Sequence, residues 1–395
     1  MSRPKIEPVR FVPALPWLCA PRAALDAPRL PFPFSEARLR YTFSGTAAVY
    51  QGVQALGLQP GDEVLCPAYH CGHEIEPFIR KGCQVSLYRV QSNLEIDLDD
   101  IRQRLTPGTK ALLVTHYFGF AQPALDELKA LCQSNGTFLV EDCAHALFSD
   151  NAAHTLGRAG DIAIFSFRKT LPLPHGGGLL INNPALALDA PTQTPSGLST
   201  AVKAIDLYKK ALLQYGGSRY SLLKRSGLLI WLPLLKLAEI AWRMDFPSRM
   251  QWYDPDDEGL DFDSEILSWG MAPYCQRLLP ALMSPDIRAR RRHHWQQLAT
   301  ALADHPTIRP AFSSLPAETC PLFFPIQVDA REQWVKNLQA AQIYAAPWWE
   351  AHYPKVDWKP FTEATALKAR MIALPLHQDL TETALSRMIN FLHSH

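Results

Sequence analysis

Net charge is the first thing this sequence lacks. Its 39 lysines and arginines face 38 aspartates and glutamates, so electrostatics gives no reason to expect nucleic acid as a partner. The one dense basic run, Arg288-Ala289-Arg290-Arg291-Arg292, lies in a helical pattern and reads as a solvated face or a subunit contact. Paired cysteines are missing too. The eight cysteines are scattered with no CxxC spacing, which removes the usual zinc knuckle, so no metal site is expected. Free thiols in a reducing compartment account for them. No continuous apolar segment follows the N-terminal basic residues, so no signal peptide is expected and the cytoplasm is the expected location. A membrane-spanning run is also absent. The strongest apolar stretch, Gly227 to Trp242, contains Pro233, Lys236 and Glu239 and is short for a bilayer. It reads as a helix or helix pair packed on the body or at a subunit interface. A lesser alternative is a weak membrane-surface contact through 226–243, flanked by Lys209, Lys210, Lys224, Arg225 and Arg243.

What is present is a globular chain of two-domain length, 395 residues with 47% hydrophobic and 19% charged content. Residues 1–40 are proline-rich and read as an N-terminal arm. From 41 to about 255, helical patterns alternate with short apolar runs: Glu63 to Cys66, Gln84 to Val90, Ala111 to His116, Thr137 to Val140 and Asp161 to Phe165. Runs of this type are strands buried on both faces, and their alternation with helices predicts an α/β domain around a mainly parallel sheet. A helical insertion at 200–250 interrupts the pattern. Residues 256–395 are expected to form a smaller α+β domain, with a long helix over about 280–303 and strands at Leu322–Val328 and Met371–Leu374.

Three segments of the larger part carry chemistry. Ser44-Gly45-Thr46-Ala47 opens a helix; the free N–H groups and dipole of such an end can hold a phosphate, with glycine allowing close approach. A Ser N-cap without a ligand is the plainer reading of the same string. Asp142 ends an apolar strand, at the sheet edge where open α/β sheets bind ligands. Ser166 and Lys169 follow the next strand and lead into Gly176-Gly177-Gly178. An acid and a lysine so placed are the minimum for pyridoxal phosphate (PLP), which needs a carboxylate at its pyridinium nitrogen and an amine for a Schiff base. Each charge alone fits an ordinary loop end; the three segments together point to the cofactor.

From about Tyr41 to the C-terminus the chain resembles the DegT-type sugar aminotransferases, PLP enzymes of fold type I. The resemblance rests on Ser44 to Ala48, Gly61 to Tyr69, Glu141 to Ala144, Gly160 to Phe167 and Leu374 to His377, in order and at family-like spacing. It implies that Lys169 is the Schiff-base lysine and Asp142 the pyridinium partner. Ser44, Gly45, Thr46, Ala47 and Ser166 would then hold the phosphate. It also implies a homodimer, an amino-acid donor, glutamate by expectation, and a keto acceptor on a nucleotide-linked sugar.

The departures are specific. His145 stands where the family commonly has glutamine, and can hydrogen-bond the cofactor or pack beside its ring. Cys71 replaces an aromatic residue, leaving Tyr69 or His70 to cover the ring. Ser268-Trp269-Gly270 replaces an Asn-Tyr-Arg string that helps form the site across a dimer. His116, His175 and Trp348 are the candidates for substrate contact, each with a plain packing role as the alternative. A PLP enzyme of another reaction type, such as a dehydratase, and a non-catalytic regulator of the same fold are the rival readings. Lys169 argues against the first, because such dehydratases resemble this chain with histidine at that place; Asp142 and Lys169 together argue against the second.

Overall fold

The computed structural model describes residues 30–151, 155–187 and 264–395, with isolated positions among 9–13 and 190–207. The arm at 1–40 for most of its length, the insertion at 200–250 for nearly all of it, and the whole 226–243 segment lie outside the described residues. Among the described residues, no helix is long and apolar enough to cross a membrane.

The apolar runs of the first half form one seven-stranded sheet. Its strands are β1 (Leu39–Thr42), β2 (Glu63–Pro67), β3 (Gln84–Tyr88), β4 (Thr109–Thr115), β5 (Phe138–Asp142), β6 (Ile162–Phe165) and β7 (Gly177–Ile181), in the spatial order β1-β7-β6-β5-β4-β2-β3. From β3 through β6 all neighbours are parallel. β7 runs against β6, and β1 against β7. Every residue of β6 and β7 is buried, as expected for strands covered on both faces. Helices α1 (Gly45–Ala55), α2 (Glu76–Arg80), α3 (Leu98–Arg104) and α4 (Leu125–Asn135) supply the connections, and a single turn, α5 (Phe167–Thr170), follows β6.

This topology brings the three chemical segments to one place. The carboxyl ends of β2, β4, β5 and β6 share an edge because the strands are parallel. Two successive reversals turn β1 the same way as β6, so its last residue, Thr42, pairs with Gly177 at the start of β7. The loops after β1, β2, β4, β5 and β6 therefore open on the same side.

The second sheet is antiparallel: β8 (Ile308–Pro310), β9 (Phe324–Val328), β10 (Ala346–Pro347) and β11 (Met371–Leu374), in the order β10-β11-β9-β8. It packs with the helices Ile287–Leu302, Arg331–Ala340, Thr362–Arg370 and Glu382–His393. Two expectations need correction. Residues 264–271 were expected in the smaller unit, but they run along β1: Phe43 N–H donates to Trp269 O (3.0 Å) and Met271 N–H to Tyr41 O (3.2 Å). Gln51 Nε2 donates to Leu267 O (3.0 Å). The segment satisfies the open edge of the sheet. The basic run is a solvated face only in part: Ala289 and Arg290 are exposed, but the other three arginines are engaged. Arg291 is 1% exposed; it donates to Gln378 Oε1 (2.9 Å), Leu322 O (2.8 Å), Pro321 O (3.2 Å) and Thr170 O (3.3 Å). Arg288 pairs with Asp150 and Glu318, and Arg292 donates to the carbonyls of Pro316 and Thr319.

Candidate active site

Lys169 stands on α5, the short turn after β6, half-buried at the common edge. The turn is held from the smaller unit: Arg291 and Gln378 Nε2 (3.1 Å) both donate to Thr170 O. Lys169 Nζ lies 2.9 Å from His145 Nε2. Asp142, last residue of β5, is 6% exposed, and its Oδ1 accepts from Ala144 N–H (2.8 Å). Burial pushes its carboxyl up to about 6, nearby Glu74 adds to the rise, and Lys169 opposes it.

The helix end at Ser44 is built for close approach. Ser44 Oγ accepts from Ala47 N–H (3.1 Å), an ordinary N-cap. The first-turn N–H groups of any helix have no partner within it, which makes this end an anion site. A Cβ on Gly45 would come within 3.1 Å of Ser166 Cβ, so Ser166 lies directly against the turn. A Cβ on Gly177 would overlap the carbonyl of Ser44 and approach Gly45 N to 2.7 Å. Glycine is required there because β7 begins against the Ser44–Gly45 turn.

The other candidates fall in different places. His116 is fully buried; Nδ1 accepts from Gln122 N–H (3.1 Å) and Nε2 bonds Glu141 Oε2 (3.1 Å). Burial alone would raise Glu141, but bonds from His116 and the N–H groups of Gly160 and Gly157 hold its carboxyl low. Both ring nitrogens of His116 are thus committed to holding strand ends, and none is left for a substrate. His175 stacks on Phe43 at 5.0 Å and meets Thr200 Oγ1 (3.3 Å) and Cys275 Sγ (3.6 Å). Burial, with Lys203 and Arg168, pushes it down to about 3. It packs on Phe43 as a neutral ring.

Tyr69 and His70 also separate. Tyr69 packs against Tyr117 (5.6 Å) and Trp349 (5.2 Å) and donates its hydroxyl to Trp348 O (3.3 Å). His70 stacks on Trp358 at 4.5 Å, toward the smaller unit. Trp348 is enclosed by Phe118, Phe323 and His145. The less buried Trp349, its neighbour in the chain, reaches Tyr69, Tyr117 and His145.

Two further residues were missed. Glu74 accepts from Cys71 N–H (3.1 Å) and from its thiol (2.9 Å), fixing the loop after β2; its position three residues on was the available signal. Lys368 is 1% exposed and donates to the carbonyls of His70 (2.6 Å), Ala351 (2.7 Å) and Trp349 (2.8 Å). A lysine on the buried stripe Ala364, Leu367, Lys368 was its signal.

A lysine and a buried acid beside a helix N-terminus, at the edge of a mainly parallel sheet with a smaller antiparallel unit, define the architecture of fold type I PLP-dependent transferases. The chain belongs to the DegT/DnrJ/EryC1/StrS aminotransferase family, whose profile matches residues 41–218 and 283–393. The GDP-perosamine synthase of Vibrio cholerae is 28% identical over 148 residues, 37% of this chain and 40% of that protein. The aligned part thus spans about two fifths of that relative. Among solved structures, the aminotransferase TlmJ from Streptoalloteichus hindustanus superposes with a TM-score of 0.61 at 21% identity, over 90% of this chain and 85% of that one. The sugar aminotransferase CalS13 from Micromonospora echinospora gives a TM-score of 0.59 at 18% identity, over 90% and 87% of the two chains. At such identity these two likenesses speak for the fold.

Proposed function

We propose that this protein is a PLP-dependent aminotransferase. It moves an amino group from an amino acid, glutamate in the first instance, to a keto group on a nucleotide-linked sugar, and works as a homodimer. The observation that carries the reading is the convergence of Lys169, Asp142 and the α1 N-terminus at one edge of the sheet. The donor set fits the cofactor. Asp142, raised by burial, is complementary to a protonated pyridine nitrogen, which would restore its charge. The α1 end and Ser166 suit a phosphate. The nucleotide-sugar acceptor and the dimer are supported by family membership and by the activity named for the Vibrio cholerae relative.

Bound there, PLP supplies an electron sink for the substrate carbon. Lys169 would hold it and would serve as general base and acid for the proton at that carbon. Asp142 would be the carboxylate facing its ring nitrogen. Tyr69, Tyr117 and Trp349 form an aromatic wall that reaches His145. Glutamate added to the PLP-loaded protein is expected to convert the cofactor to its amine form, read by absorbance and by release of 2-oxoglutarate. Failure with every amino donor tried would contradict transamination.

A further inference from the structure

Two hydrogen bonds meet on the imidazole beside Lys169. Phe118 N–H points at His145 Nδ1 (3.3 Å), while Nε2 faces Lys169 Nζ at 2.9 Å. A neutral imidazole has one N–H and one lone pair. Because Nδ1 receives a donor, the lone pair is on Nδ1 and the proton on Nε2. The imidazolium form would set N–H against N–H at Phe118. Burial, with Lys169 in second place, also pushes the ring's pKa well below its ordinary value.

The arrangement is locked from several sides. Phe118 has φ 55° and ψ 15°, a left-handed backbone that a bulky residue adopts only under constraint. Its carbonyl is held by Leu322 N–H (2.8 Å). Gly119 follows with φ +96°, and a Cβ there would overlap the carbonyl oxygen of Cys320. The rings of Phe118, Trp348 and Trp349 surround His145 at 5.8, 5.4 and 5.3 Å.

We infer that His145 is a tautomer-fixed hydrogen-bond donor to the Lys169 nitrogen, a positioning role that favours the lone-pair form of that amine. An ammonium would oppose N–H to N–H; a neutral amine offers the acceptor that Nε2–H needs. The neutral amine is also the form that attacks a carbonyl and takes a proton from carbon. Other groups act on Lys169 as well. From the loop after β2 come Cys71, kept a thiol by burial and Glu74, and His73, pushed down to about 3 by burial and then by Lys169 and Arg168. Asp142 lies at the end of β5, and Arg168 precedes Lys169 in the chain. Of these Asp142, with the Glu74 carboxylate beside it, favours an ammonium, and His145 acts against them.

The inference rests on Lys169 being the cofactor-holding lysine, and its test separates the two. Histidine-labelled protein without cofactor is examined by nitrogen-15 NMR at pH 7, with His145 assigned by its loss in His145→Gln. The neutral Nε2–H tautomer is expected; an Nδ1–H tautomer or an imidazolium would overturn the inference. In parallel, PLP is added and trapped with borohydride, and labelling of Lys169 is followed by peptide mass. His145→Leu is expected to label more slowly than wild type at pH 7, because the Nε2–H that orients the amine is gone. Recovery in His145→Gln, which restores an N–H donor, supports the role. Equal rates at pH 7 in wild type and His145→Leu would refute it. If PLP labels Lys169 in no variant, the proposed function fails, while the NMR result still decides the tautomer.

Discussion

At the scale of single residues, Asp142 links cofactor, charge and stability. Its carboxyl has an ordinary value of 3.8 and a folded value of about 6. Between these the native chain keeps a proton that the unfolded chain gives up, so stability through this group falls as pH rises across the window. The full difference is about 3 kcal/mol above pH 7 in cofactor-free protein. Asp142→Asn, uncharged throughout, escapes this loss. Its stability relative to wild type is therefore expected to be greater at pH 7 than at pH 4 by up to that amount. Denaturant melts of both proteins at the two pH values, without cofactor, check this; parallel pH profiles would contradict it. Opposite behaviour belongs to Glu141, whose carboxyl is held low and whose contribution is lost only as pH falls. The two adjacent acids are distinguished by their donors: Glu141 receives three hydrogen bonds from His116, Gly157 and Gly160, whereas Asp142 accepts from Ala144 N–H.

At the scale of elements, the turn carrying Lys169 is held by a helix distant in sequence. The helix Ile287–Leu302 buries Ile287, Arg291, His294, Trp295, Leu298 and Leu302 along one stripe, and its arginine reaches Thr170 O beside the lysine. Arg291→Lys keeps the charge but loses the planar fork that serves four acceptors at once. Each buried acceptor left unmet costs about 1–3 kcal/mol, so a clear drop in thermal midpoint and slower trapping of PLP at Lys169 are expected. A variant as stable and as reactive as wild type would show that the fork is dispensable. The strands β4, β5 and β6 were legible in the sequence because continuous apolar runs specify burial on both faces. Asp142 and Lys169 were legible because they interrupt such runs at their ends. Arg291 was misread because a run of arginines suggests a solvated face, while its place on the apolar stripe tells against that. The tautomer of His145 could not be read at all, since it depends on the left-handed backbone at Phe118, which no local pattern announces. His116 and His175 looked like site residues by position, yet both ring nitrogens of His116 are spent on Glu141 and Gln122, and Nε2 of His175 faces Thr200 and Cys275.

At the scale of the whole molecule, the larger and smaller units are pinned together next to the site. Lys368, on the helix Thr362–Arg370, donates to His70 O in the loop after β2 and to Trp349 O and Ala351 O near β10. Its ammonium also lies 4.7 Å from the Trp358 ring centroid and 5.8 Å from that of Tyr69. Lys368→Met preserves bulk but leaves three carbonyls without this donor. Hydrogen exchange should then accelerate about tenfold or more in 69–72 and 346–352, the effect of losing somewhat more than 1 kcal/mol of local stability, while β4 and β5 stay protected. Uniform acceleration across the sheet would mean that Lys368 supports the fold generally, without a special part in joining the units. The account as a whole depends on one covalent claim, that the amine after β6 holds the cofactor opposite the acid of β5. Borohydride reduction of the PLP-loaded protein followed by peptide mapping tests it most directly. Modification is expected at Lys169, together with loss of the visible absorbance band. A colourless protein, or modification at another lysine with Lys169 untouched, would contradict it.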